Sequence, residues 1–244
     1  MKIILIILSL SSAVASAAEF QSGPFKTSLI ELYTSEGCSS CPPAEAWLAK
    51  IYQQGFDNER IVPLAFHVTY WDYLGWKDRF SKALFDKRQR HLVSSQGSRS
   101  IYTPQFFINA KSLRNVSAIS SKLKQKQAAR LSINATLIET DKELLLTVEL
   151  KKLGLNVSDE VTVNIAAYEN NIESSIKAGE NKGRVARHQF VVREFQTATI
   201  SLDREKQSRF AFKSRKQNWA GLVVFIESGG EVEQVLQIPL KKRT

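Results

Sequence analysis

The apolar residues change their repeat distance near residue 130, and that change restricts the fold more than any other feature of this 244-residue chain. Before it, short apolar runs alternate with helical spacing. Ser28–Tyr33, Ile61–Phe66 and Ile101–Asn109 read as strands. Ala44, Trp47, Leu48, Ile51 and Tyr52 recur at helical spacing, as do Phe80, Ala83, Leu84 and Leu92, and then Val116, Ile119 and Leu123. Pro42 and Pro43 suit a first helical turn, where a missing N–H is not needed. This order of elements predicts an α/β N-terminal domain over residues 25–128. Beyond Arg130 the period becomes two: Leu144, Leu146, Val148 and Leu150, then Val161, Val163, Ile165 and Ala167, with turn-rich breaks such as Ser228-Gly229-Gly230. Short alternating runs without helical spacing predict an all-β, sandwich-like C-terminal domain over residues 129–244.

The N-terminus reads as an address. Lys2 precedes an uncharged stretch from Ile3 to Ala18 that ends in small residues, the pattern of a secretory signal peptide over residues 1–18. That run falls short of the ~20 residues a spanning helix needs. An exported chain, periplasmic or secreted, is therefore expected. The 34 Lys plus Arg against 24 Asp plus Glu leave a net charge of +10. Such an excess speaks about partners and not about fold. Of the basic residues, 11 lie between Lys177 and Lys216, against four acids. The charge thus sits in the second domain, away in sequence from the cysteines. It favours a weak contact with an anionic envelope surface, or a docking partner. Export makes nucleic acid an unsuitable partner.

Cys38-Ser39-Ser40-Cys41 uses every cysteine in the chain and falls at a strand-to-helix junction. A cross-link this local adds little stability, since the stabilisation grows with loop length. Chemistry gives a better reason for the pair: orphan N–H groups of a first helical turn favour a thiolate. Cys38, nearer the exposed start, would attack a partner disulfide and Cys41 would resolve the mixed disulfide. An inert disulfide and half of a metal site are the competing readings. The remaining nitrogen donors are His67, His91 and His188, whose spacing resembles no zinc finger.

Around the pair, several residues are candidates for a surface or a proton path. Trp71 and Trp76 lie in an aromatic loop that would line a peptide-binding surface, with a small core beneath the loop as the plainer role for Trp71. His67 is a candidate proton shuttle or a satisfied strand-end histidine. Asp72 and Asp78 would move protons or cap a loop. Glu36 and Glu45, if close, oppose thiolate formation and make Cys38 less acidic than in strongly oxidising relatives. Glu180, His188 and Arg193 would form a second-domain site or a solvated strand face.

Thr34 to Ala44 around the cysteines, Phe66-His67-Val68 with Tyr70 to Asp78, Tyr102-Thr103-Pro104-Gln105, and Gly179 to Arg184 with His188 and Val191-Val192-Arg193 together resemble an exported thioredoxin-like family known as domain of unknown function 1223. Thr69 stands where that family carries an acid, and Arg79 where it carries a proline. The resemblance implies a thioredoxin-like fold with a redox site at Cys38 and Cys41. Pro104 would be the site's cis-proline, and Thr103 would offer backbone groups to a substrate peptide. The expected function is thiol–disulfide exchange with another exported protein, with no cofactor beyond the Cys38–Cys41 disulfide and no resident metal. The alternative is a non-catalytic binding or assembly module whose cysteines handle copper through a site that includes His67.

Overall fold

The computed structural model describes residues 16–116, 119, 126–140, 143–154, 157–204, 206–213 and 218–240. In chain order its elements are β1 (Ser16–Gln21), β2 (Ser28–Thr34), α1 (Pro42–Ala49), β3 (Ile61–His67), α2 (Ala83–Ser94), β4 (Gln105–Ile108), β5 (Lys111–Leu113), β6 (Leu131–Glu139) and β7 (Glu143–Lys152). They continue with β8 (Glu160–Glu169), β9 (Ile172–Ser175), β10 (Val185–His188), β11 (Val191–Ser201), β12 (Gln207–Lys213), β13 (Trp219–Ser228) and β14 (Glu231–Pro239).

The expected division into a thioredoxin-like α/β domain and a separate β domain is overturned. The fold is mostly β, with two α-helices among the described residues. β2, β3, β4 and β5 do not close a sheet of their own. They form one half of an eight-stranded sheet ordered β14-β13-β8-β11-β3-β2-β4-β5, so four strands from each half of the chain share one layer. The joint is a single parallel register pair, Val191 with Ala65, backed by the Ala65 N–H donating to the Phe190 carbonyl. The third expected helix, with Val116, Ile119 and Leu123, falls mainly outside the described residues. So does most of the expected signal peptide; Ser16 to Ala18 pair with Ile138 and its neighbours at the start of β1.

The physical reason is visible in the burial. Every residue of β2 and of β3 is buried. Such strands need cover on both faces and neighbours on both edges, which is why they read as continuous apolar runs. β11 supplies the missing neighbour of β3. The alternating runs of the second half fold as predicted locally: Leu144, Leu146, Val148 and Leu150 of β7 all point into a core. That core lies between a four-stranded sheet, β1-β6-β7-β12, and one face of the large sheet. In β13, Leu222, Val224 and Ile226 face this core, while Val223 and Phe225 face a second core with Phe66, Phe85 and Leu92. β13 thus contributes to two cores at once, as the period of two demands. A guanidinium completes the joint: Arg88 of α2 pairs bidentately with Glu31 of β2 at 2.7 and 2.9 Å and reaches Glu227 of β13 at 2.7 Å.

Candidate functional site

β2 ends at Thr34, and the chain then turns through Ser35 to Ser40 before α1 begins. The Cys41 N–H donates to the Cys38 carbonyl at 3.2 Å, which folds the segment into one turn and brings the sulfurs together as a disulfide. Both cysteines are 0% exposed. This corrects the expectation of an exposed Cys38. A second expectation also changes, because Pro42 and Pro43 remove the first two N–H groups of α1, and the next, of Ala44, is taken by the Cys41 carbonyl. A thiolate at Cys38 is left with the Ser40 hydroxyl, 3.4 Å from its sulfur, and with the residual field of a two-turn helix.

The cover over the cysteines comes from both halves of the chain. Gly37 packs so closely on Trp71 that an added Cβ would lie 3.2 Å from the Trp71 Cβ. The Trp71 indole N–H donates to the Thr103 hydroxyl at 2.7 Å. From the hairpin of β9 and β10, the buried Asn181 amide donates to the carbonyls of Glu36 and Cys38 at 2.8 and 2.9 Å. The Ser39 N–H donates to Glu180 at 3.3 Å.

Beneath this cover lies a buried polar cluster. His188, at the end of β10, donates from Nδ1 to Glu45 at 2.6 Å and from Nε2 to Glu36 at 3.1 Å. Burial alone would lower its pKa, but the hydrogen bonds and charges of the two carboxylates outweigh it and push the pKa up to about 10. Burial likewise works to raise both glutamates, and the hydrogen bonds from His188 turn the net direction downward. His67, at the end of β3, donates from Nδ1 to Asp78 at 2.6 Å, and Asp78 also accepts the N–H groups of Glu36 and Phe80. The same balance holds the Asp78 carboxyl below its ordinary range, with burial opposed chiefly by the neighbouring His67. The rings of His67 and His188 stand 5.1 Å apart, both edge-on to Phe80. A cavity of about 230 Å³ borders Glu36, Glu45, Asn181 and His188.

A family model described as a protein of unknown function, DUF1223, matches residues 29–227, which takes in the cysteines, the cluster and its cover. The chain belongs to the DUF1223 family. Two solved structures share the fold. Protein AGR_C_4864 from Agrobacterium tumefaciens is 21% identical with a TM-score of 0.65, over 89% of this chain and 96% of that one. HBP35 of Porphyromonas gingivalis is 14% identical with a TM-score of 0.64, over 90% of this chain and 76% of that one. No curated protein sequence matches.

Within this DUF1223 fold, the residues singled out in the sequence gather at one end of the large sheet. Tyr33 of β2 pairs with Gln105 of β4, so the cysteine turn and Thr103-Pro104 leave the sheet side by side, and the Thr103–Pro104 bond is cis. Trp76 donates to Glu36 at 2.7 Å and so serves the cluster rather than a surface. Asp72 accepts the Asp78 N–H and the Ser81 hydroxyl, a loop-capping role. Arg193 pairs with Glu169 at 2.9 Å and stacks on Phe80, behind the histidines. Thr69 donates to Asp86, and Arg79 to the Glu173 carbonyl. Asn181 is the residue of this cluster that the sequence did not single out. Asp78, read as a proton carrier or a loop cap, here holds Nδ1 of His67, and Asn181 lies 143 residues from its Cys38 partner.

The basic excess also moves. Lys177, Lys182, Arg184 and Arg187 are exposed on the β9–β10 hairpin and its connecting loop. That is the element strapped to Cys38, so charge distant in sequence is near the disulfide in space.

Proposed function

We propose that this protein exchanges disulfides with another exported protein through Cys38 and Cys41. The observation that supports this reading most strongly is the disulfide between the chain's two cysteines, closed over three residues and placed under a cover held by few hydrogen bonds. A bridge this short contributes little to stability, whereas it suits two-electron exchange.

In the reduced form the Cys38 thiolate attacks one sulfur of a partner disulfide, forming a mixed disulfide and expelling the partner's other sulfur as a thiolate. The Cys41 thiolate then attacks the Cys38 sulfur, closes the Cys38–Cys41 disulfide and releases the partner as a dithiol. Two electrons and two protons pass to the partner. The reverse sequence oxidises a partner dithiol by the same bonds. Either direction requires the strap carrying Glu180 and Asn181 to lift from the turn. The exposed bases on that strap favour a partner with an acidic segment, with association that weakens as salt rises.

The test is a Cys41→Ser variant of the full chain produced in its exporting host. It is expected to accumulate mixed disulfides on Cys38 that run as larger species without reductant. No adduct, in a variant that still folds, contradicts the reading. Stoichiometric Cu(I) binding by the reduced wild type that is lost in His67→Ala would favour the binding-module alternative instead.

A further inference from the structure

We infer that Glu45, His67 and His188 form a site for a divalent transition-metal ion of the zinc class. The ligand atoms these residues offer lie within 4.8 Å of one another. A four-coordinate ion with bonds of about 2.0–2.1 Å separates its ligand atoms by roughly 3.3 Å, so the wider pairs would close by up to about 1.5 Å while the Glu45–His188 pair, now at 2.6 Å, would open. One carboxylate oxygen and two imidazole nitrogens suit a borderline ion of this kind.

Two features set this cluster apart from an ordinary buried polar network. First, Nε2 of His67 is fully buried and has no hydrogen-bond partner among the described residues. An orphaned polar atom in the interior is costly, so it calls for a ligand. Nδ1 of the same ring is already held by Asp78, which leaves Nε2 as the nitrogen free to coordinate. Second, each prospective ligand has an outer partner on its other atom. Asp78 holds Nδ1 of His67, Glu36 holds Nε2 of His188, and the Thr34 hydroxyl donates to Oε1 of Glu45 at 2.5 Å. Such outer carboxylates fix the ring and the coordinating nitrogen in histidine-ligated metal sites. The atoms left inward, Nδ1 of His188 and Oε2 of Glu45, now share a 2.6 Å hydrogen bond; the ion would take the place of its proton, which passes to solvent.

Three protein ligands leave a fourth position open. The cavity bordering Glu45 and His188 gives the ion a way in and room for a water or a small ligand there. The site uses no sulfur, so it is distinct from the cysteine chemistry and is to be filled in the oxidised protein.

The probe is Zn²⁺ alone, added to the full oxidised chain after chelator treatment and removal of the chelator. Equilibrium dialysis with elemental analysis is expected to give one zinc per chain. Asp78→Asn, which keeps all three ligands, is expected to weaken binding roughly 10–100-fold, and His67→Gln to abolish the stoichiometric site. His91→Ala, outside the cluster, should bind as wild type. Should either cluster variant fail to fold, X-ray absorption of the wild-type zinc form decides, with nitrogen and oxygen donors and at least one imidazole expected. Sulfur donors, zinc absent from the folded wild type, or undiminished binding in a folded His67→Gln variant would overturn the site. Because the Cys38–Cys41 disulfide stays closed throughout, this outcome is independent of whether Cys41→Ser traps a partner.

Discussion

Arg88 and His188 each carry a cation into the interior between the first and second halves of the chain, yet their surroundings differ. Arg88 is fully answered. Its guanidinium takes both oxygens of Glu31 and reaches both of Glu227, Tyr33 and Asn164 supply further hydrogen bonds to those carboxylates, and Phe225 lies 4.9 Å beneath it. Around His188 the bonding is as short but incomplete. Among the described residues, Nε2 of His67 and Oδ1 of the strap residue Asn181 are buried without hydrogen-bond partners, and a cavity borders Asn181 and His188. Two buried charge clusters thus serve different ends. The closed one fixes the relative placement of β2, α2 and β13, while the open one sits under a disulfide and retains unused bonding capacity.

Breaking the closed cluster should give the larger loss. Arg88→Ala removes the shared cation and leaves Glu31 and Glu227 without a counter-charge, Glu31 fully buried. We expect about 3–5 kcal/mol of destabilisation in urea unfolding, the usual consequence of stripping one partner from a buried pair. A loss under about 1 kcal/mol would mean that the two halves are held by apolar packing alone.

The open cluster should instead reveal itself through pH. The pKa of His188 stands at about 10 in the folded protein against 6.5 for a free imidazole. Its contribution to stability is fully present below pH 6.5 and is lost as pH rises toward 10. Glu36, Glu45 and Asp78 have lowered folded pKa values, so their contribution is present above the ordinary carboxylate range and is lost in acid. Stability should therefore be greatest near pH 5–6.5 and fall above about pH 7 by at most ~1.4 kcal/mol per pH unit. Urea unfolding at a series of pH values in the presence of chelator checks this, and a flat profile between about pH 6.5 and 9 would place His188 outside a charged cluster. Arg88 is held above and Glu227 below their ordinary ranges, so the alkaline loss belongs to the other site.

Much of this was legible in the sequence at the level of single elements. The strand runs around Leu29, Leu64 and Leu146, the helix marked by Leu84 and Leu92, and the cysteine turn before Pro42 all form where their spacing places them. The assembly was not legible. A strand's period reports how many of its faces are buried but not which strand lies beside it, and the joint of β3 to β11 rests on one register pair between residues 126 positions apart, Ala65 and Val191. For the same reason Cys38 appeared exposed. Its cover comes from Asn181 and Trp71, and nothing local to Cys38-Ser39-Ser40-Cys41 announces either. Glu36 and Glu45 looked like unopposed charges beside the cysteines because the histidine that answers them, His188, follows by 152 and 143 residues.

The reactivity of the disulfide in the folded chain is the central claim, and its reduction rate measures it most directly. With a small dithiol in excess and below the unfolding transition, reduction of Cys38–Cys41 should be first order in thiol and nearly independent of urea. That behaviour reports a local lifting of the strap. A rate that rises with urea in step with global unfolding, and vanishes when the fold is most stable, would show a disulfide sealed into the structure and would contradict the exchange function.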